Sequence, residues 1–344
     1  MDTQSIEALR VHGADDLRVD AEPAPARGPG DAVIGVEYGG ICGSDLHYWR
    51  DGAVGASVLR APMILGHEVV GTVLSTPDDA AVGTRVVPHP ATTCGRCEWC
   101  QAGQRNLCAD LRYLGSAARF PHTDGGFATR IVVPADRLIP VPAGVAARRA
   151  VLAEPAGVAW HAVNRASAVG ARLAGARVLV VGAGPIGLLV TAVLRHRGAR
   201  EITVLDTRAR PLRVAGQVGA DRGLPAAEAS GLGAFADIAF ESSGTPAGLA
   251  TALHGVRPGG TVVAVGQQPG GDLALPAWLF VTHELTVTGS LRLDAEIPAA
   301  LDFLADPGVD VDAIVSHVYP LRAAPAAFTV AADADTSSKV LLEF

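Results

Sequence analysis

Cys42-Gly43-Ser44-Asp45-Leu46-His47 and the Gly66-His67-Glu68 that follows offer a thiolate, an imidazole and a carboxylate within one short stretch. Borderline-soft zinc takes this ligand set, and a catalytic zinc site has three protein ligands and one open position. Taken alone, a cysteine is more often a small buried hydrophobe. A second set strengthens the metal reading: Cys94, Cys97, Cys100 and Cys108, spaced C-x2-C-x2-C-x7-C. Four thiols this close suit a closed tetrahedral zinc site that staples a loop. An iron–sulfur cluster competes for four cysteines, and a redox or regulatory role is the weaker option. In a cytosolic chain they are not expected to form disulfides. Of the five cysteines, four are spent here, which leaves Cys42 for the His-Glu pair.

A third stretch, Arg177-Val-Leu-Val-Val-Gly182-Ala-Gly184-Pro185-Ile186-Gly187, reads as G-x-G-x-x-G after a buried strand and at the opening of an apolar helix. Gly182 permits a tight turn, Gly184 lets backbone approach a pyrophosphate, and Gly187 allows close helix–strand packing. The helix N-terminus supplies phosphate donors. A following strand, Glu201 to Leu205, ends in Asp206 at the expected distance. Asp206 suits the adenosine ribose hydroxyls and repels a 2′-phosphate, which favours NAD; Arg208 and Arg210 just beyond leave room for NADP. Further strands at 237–241, 261–266 and 285–288 end near Ser243, Gly266, Gly289 and Ser290. Ligands collect at such carboxyl ends in doubly wound sheets.

The elements that position these residues are an irregular β unit, a doubly wound α/β unit and a mixed tail. Residues 1 to about 90 read as short strands broken by Gly and Pro, with Ala32–Glu37 alternating and Val69–Leu74 rich in β-branched residues. Residues 110–130 form a long loop of Gly, Pro and aromatic residues, either functional or a plain connector. Glu154 before Pro155 opens an Ala-rich helix and is at least a helix-start residue. The division expected is 1–153, 154–289 and 290–344, the last returning to the first domain and closing a cleft.

The 344 residues, 49% hydrophobic and 18% charged, are globular values for two domains. A net charge of -7 argues against a nucleic-acid partner. Val178–Leu194 is the longest uncharged run, but it carries three glycines and a proline, so no membrane span is expected. Met1–Gln4 and the early Glu7 show no signal peptide, and a soluble, cytoplasmic protein is expected. Lys339 is the only lysine, which disfavours P-loop and pyridoxal chemistry.

With these motifs in this order, the whole chain resembles the zinc-dependent medium-chain dehydrogenase/reductases. Residues 39–49, 61–68 and 112–127 are similar to the polyol dehydrogenase branch. The resemblance implies a GroES-like catalytic domain, a Rossmann cofactor domain and a homodimer or homotetramer. It implies a catalytic zinc on Cys42 and His67, with Glu68 or Glu154 as third ligand, and a structural zinc on Cys94, Cys97, Cys100 and Cys108. Glu154 thereby joins the catalytic candidates. Ser44 becomes the first proton acceptor, with His47 nearer solvent; the plainer alternative is a turn residue and a surface histidine. The substrate is expected to be a sugar acid or a polyol. A sugar acid's carboxylate needs a cationic partner, for which Arg112, Arg119 and His122 are candidates, Arg119 first, with Tyr48 beside them. A non-catalytic NAD-binding zinc protein is the alternative of another class; the intact ligand set weighs against it.

Overall fold

The computed structural model describes residues 5–79 and 81–344, so the reading of Met1–Gln4 lies outside the described residues. The chain divides into two compact units: Met1–Glu154 with Val315–Asp333 and Lys339–Phe344, and Pro155–Ile314 with Ala334–Ser338. The tail therefore rejoins the first unit at Val315, later than the position 290 expected from sequence. The reason is the helix Ile297–Ala305, whose Ile297, Leu301, Phe303 and Leu304 are buried. Phe303 stands edge-on to Trp160 and His196 at 6.1 and 5.3 Å, which keeps this segment in the second unit.

The first unit is built on a sheet ordered Leu138–Pro140, Arg85–Pro88, Glu68–Ser75, Asp31–Gly40, Lys339–Glu343 and Val315–Pro320. Arg130–Pro134 also pairs with Asp31–Gly40. The alternation in Asp31–Gly40 buries Ala32, Ile34 and Val36, as a half-buried strand requires. Register sets the site. Gly40 lies opposite Glu68 on one side and opposite Leu341 on the other. The far C-terminus is thus brought to Ile41 and Cys42, where the strand gives way to the helix Gly43–Asp51.

The end of the long loop is pinned to the stretch entering His67. The backbone N–H groups of Gly125, Gly126 and Phe127 donate to the carbonyls of Ile64, Gly66 and Leu65. The Phe127 ring, fully buried, fills the space left by Gly39 and Gly66. Gly66 has φ +97°, and a Cβ there would lie 2.2 Å from that ring. Only glycine meets both demands.

The second unit holds a six-stranded parallel sheet in the order Arg222–Pro225, Glu201–Asp206, Arg177–Val181, Ala236–Glu241, Val256–Ala264, Thr286–Gly289. The chain starts at Arg177–Val181 and winds outward first one way, then the other. This is the doubly wound order, and it opens a crevice where the direction reverses, beyond Val181 and Glu241. Val178, Val180, Ile202, Val204, Ile238 and Phe240 are buried, as parallel strands covered on both faces demand. Among the described residues, no helix is long and apolar enough to cross a membrane.

Phe127→Ala would leave a void under Gly39 and Gly66, and a buried Phe truncation costs ~3–5 kcal/mol. Urea unfolding of the variant should show that loss.

Candidate metal centres and dinucleotide turn

Cys42 caps the N-terminus of the helix Gly43–Asp51. Asp45, fully buried, ties it down. One carboxylate oxygen accepts the Cys42 N–H at 2.9 Å and the other accepts the Gly66 N–H at 3.2 Å. Two distant stretches are so clamped that Cys42 faces His67. Burial pushes the Asp45 carboxyl up, opposed by the charge of His67, whose Nδ1 is 3.9 Å away. Sequence reasoning passed over Asp45. An acid at the third position of a helix, reaching back to the cap N–H, is the signal that finds it.

The ligand atoms of Cys42, His67 and Glu68 all lie within 4.8 Å of one another. Burial would lower the His67 imidazole, but the charges of Cys42 and Asp45 outweigh it and hold it well above its ordinary value. A half-buried thiol converging with a buried imidazole and carboxylate fits zinc with a position left open. Glu154 is outside this trio but inside the same electrostatic environment, because its charge also acts on His67. It is buried, accepts the Tyr113 hydroxyl at 2.6 Å, and is pushed up by burial. The Tyr113 ring lies edge-on to His67 at 5.7 Å.

Glu68 has a stronger partner. Lys339 Nζ is 2.7 Å from both of its carboxylate oxygens and 3.1 Å from the Ile41 carbonyl. Both side chains are buried, at 2% and 1% exposure. Burial alone would lower the ammonium; the charges of Glu68 and Cys42 reverse that and raise it. The two candidate third ligands therefore differ: Glu68 groups with Cys42 and His67 but is ion-paired to Lys339, while Glu154 accepts the Tyr113 hydroxyl and feels the charges of His67 and Lys339 at longer range. A single lysine in an arginine-rich chain was the sequence signal for this pair.

Cys94, Cys97, Cys100 and Cys108 also converge, their sulfurs within 4.8 Å of one another. The Cys94 and Cys97 N–H groups point at sulfurs of Cys108 and Cys94, 3.3 and 3.4 Å away. Backbone N–H groups of Ala109 and Cys100 pull the Cys97 thiol down to about 6, and burial pushes Cys100 up to about 11. Four sulfurs with aligned N–H donors suit a closed tetrahedral metal site.

The remaining candidates are placed otherwise. Ser44 is half-buried in the first helical turn; His47, one turn on, is exposed and pairs with Asp51 at 2.9 Å. Tyr48 is buried and its hydroxyl accepts the Ala117 N–H at 2.9 Å. Arg119 donates to the Ala109 carbonyl and lies 3.9 Å from Asp110, so its guanidinium engages the cysteine loop. His122 accepts the Arg60 N–H at 2.8 Å through Nε2, while Nδ1 meets the Arg119 carbonyl at 2.9 Å. Arg112 donates to the Pro121 carbonyl. Tyr48, Arg112, Arg119 and His122 thus brace the long loop, whereas Ser44 and His47 do not.

In the second unit, the glycine turn packs on the reversal point. A Cβ on Gly182, at φ +97°, would lie 2.7 Å from Ser243 N, and one on Gly187 would lie 1.9 Å from the Gly182 carbonyl oxygen. Gly184 has open space beside it, as close approach of a phosphate requires, and Pro185 opens the helix with Ile186 next. Asp206 accepts the Ala183 and Arg208 N–H groups at 2.7 and 2.9 Å. Glu241, fully buried and missed from sequence, holds the neighbouring loops. It accepts Ser243 N and Oγ, Gly244 N and Gln268 Nε2, at 2.5–2.9 Å. Gly266 abuts Gly244, the Gly289 carbonyl accepts Arg165, and Ser290 N donates to Ala264.

This fold and these sites define a zinc-binding dehydrogenase of the medium-chain type. Residues 28–143 match the alcohol dehydrogenase GroES-like domain, and 185–306 match the zinc-binding dehydrogenase domain. The chain is 35% identical over 319 residues to L-idonate 5-dehydrogenase (NAD(P)(+)) of Escherichia coli K12, covering 91% of each. It is 32% identical over 330 residues to sorbitol dehydrogenase of Bacillus subtilis 168, covering 93% of this chain and 91% of that one. The crystal structure of the E. coli L-idonate 5-dehydrogenase superposes with a TM-score of 0.93 at 33% identity, covering 99% of this chain and 98% of that one. The chain belongs to this family, in the branch that holds polyol and sugar dehydrogenases.

Breaking a buried ion pair from one side costs ~3–5 kcal/mol, because the other charge is stranded. Lys339→Met should lose about that much in urea unfolding, and adding Glu68→Gln should restore part of it.

Proposed function

We propose that the chain is a zinc-dependent NAD(P) dehydrogenase that oxidises a secondary alcohol of a sugar acid, with L-idonate to 5-keto-D-gluconate as the first reaction to test. The observation that carries this reading is the convergence of half-buried Cys42 with buried His67 and Glu68 in a chain 35% identical to an L-idonate 5-dehydrogenase. A polyol substrate such as sorbitol or xylitol is the second reading. It is favoured by the engagement of Arg119 and His122 in loop bracing, which leaves them less free to meet a carboxylate.

Cys42 and His67 would hold the catalytic zinc, with Glu154 or Glu68 completing the set, and Cys94, Cys97, Cys100 and Cys108 the structural one. Bound zinc supplies a Lewis acid that lowers the pKa of a substrate hydroxyl, and bound nicotinamide supplies the hydride acceptor. Ser44 and His47 are three residues apart on one helix and so share a face. Ser44 Oγ would accept the hydroxyl proton while releasing its own hydrogen toward His47, which at the surface would pass a proton to solvent. Gly182–Gly187 and Asp206 receive the dinucleotide, with Arg208, Ser243, Gly266, Gly289 and Ser290 around it. A homodimer or homotetramer fits the exposed Trp278, Val281, Val287 and Leu291 in and around the edge strand Thr286–Gly289.

Elemental analysis should find two zinc ions per chain, falling to one in Cys97→Ser. One zinc in the unaltered chain would favour a non-catalytic protein. Turnover of L-idonate beside D-sorbitol, xylitol and D-gluconate then selects the substrate. Ser44→Ala should lower kcat by about 100-fold with both zinc ions retained; unchanged turnover removes Ser44 from the relay. Arg119→Ala should raise the KM for L-idonate but not for D-sorbitol if Arg119 reads a carboxylate, and should affect both alike if it only braces the loop.

A further inference from the structure

The short segment Ala334–Ser338 belongs to the second unit. It sets Asp335 against Arg208, with Asp335 Oδ1 3.2 Å from Nε. Arg208 caps the helix Ala209–Gln217, two residues past Asp206. Asp206 is itself fixed, with one oxygen on the Ala183 N–H and the other on the Arg208 N–H. The end of this strand therefore carries an immobilised carboxylate and a guanidinium engaged by a second carboxylate, from far along the chain.

A dinucleotide whose pyrophosphate lies on the glycine turn brings its adenosine ribose to the end of this strand. A ribose with free hydroxyls gains acceptors from Asp206. A ribose 2′-phosphate is repelled by Asp206 and needs a cation in compensation. Arg208 is placed to supply one, and Asp335 competes for it. We propose that Asp335 is a specificity-determining residue, which biases the chain toward the nicotinamide dinucleotide without a 2′-phosphate by occupying Arg208. The inference rests on the dinucleotide-binding reading above.

The size of the bias follows from exposure. The side chains are 47% and 71% exposed, and such pairs shift an equilibrium by no more than about fivefold. The effect acts on the ratio of two affinities, so a general loss of stability leaves it unchanged.

The test is fluorescence titration of the zinc-replete full chain with NADH and NADPH. Asp335→Asn should lower the NADPH-to-NADH ratio of dissociation constants by about three- to fivefold at low ionic strength. The gain should shrink near ~0.5 M salt, where screening is strong. Asp335→Glu should keep the wild-type ratio, and Asp335→Asn combined with Arg208→Ala should lose the gain. An unchanged ratio in Asp335→Asn, with NADH still bound, would overturn the proposal alone. So would a gain that persists without Arg208, because the effect would then be bulk charge. A wild-type chain that binds neither dinucleotide would overturn the dinucleotide reading and this proposal with it.

Discussion

Glu68 is a carboxylate buried beside a candidate metal ligand, and burying an unpaired charge costs several kcal/mol. Much of the first unit follows from satisfying it. The only lysine in the chain is Lys339, 271 residues away, and it reaches Glu68 because the last strand adds to the sheet beside Gly39 and Gly40. Gly40 bears no Cβ, and one would lie 2.2 Å from a Glu68 oxygen. The glycine, the strand order and the lone lysine thus solve one electrostatic problem. The trio Cys42, His67 and Glu68 is held by its neighbours: Asp45 accepting the Cys42 N–H, the Tyr113 ring edge-on to His67, and Lys339 on Glu68.

The same economy appears at the dinucleotide turn. The positions proposed to receive a phosphate are glycines, and their freedom is useful only if surrounding loops are rigid. Glu241 supplies that rigidity by accepting from two successive backbone N–H groups, a serine hydroxyl and Gln268. A buried carboxylate with this many donors has its hydrogen-bonding capacity satisfied and is held in place. It joins the loops after two neighbouring strands, where the sheet reverses direction and ligands bind in folds of this kind.

The long loop between the cysteine site and Phe127 is ordered by local means. His122 bridges two backbone segments through its two ring nitrogens, and the tautomer with hydrogen on Nδ1 satisfies both. Tyr48 supports Ala117 from the helix that starts at Cys42. Residues chosen from sequence for their charge and aromaticity prove to shape the loop's backbone, a use that composition does not distinguish from substrate contact.

Local chemistry determined much of this protein from sequence. The C-x2-C-x2-C-x7-C spacing, the G-x-G-x-x-G between strand and helix, and the acid after the second strand are short-range patterns whose geometry is set by neighbouring residues. They placed the cysteine cluster, the glycine turn and the parallel strands. Tertiary structure alone decided what depends on long-range register. That Lys339 neutralises Glu68, that Asp45 clamps Cys42 to Gly66, that Arg119 serves the cysteine loop and that Asp335 meets Arg208 all require segments 10 to 271 residues apart to meet. Side-chain type says what a group could do. Only strand order and burial decide which partner it finds, because a polar or charged group leaves water only where the fold supplies hydrogen bonds or an opposite charge to meet it.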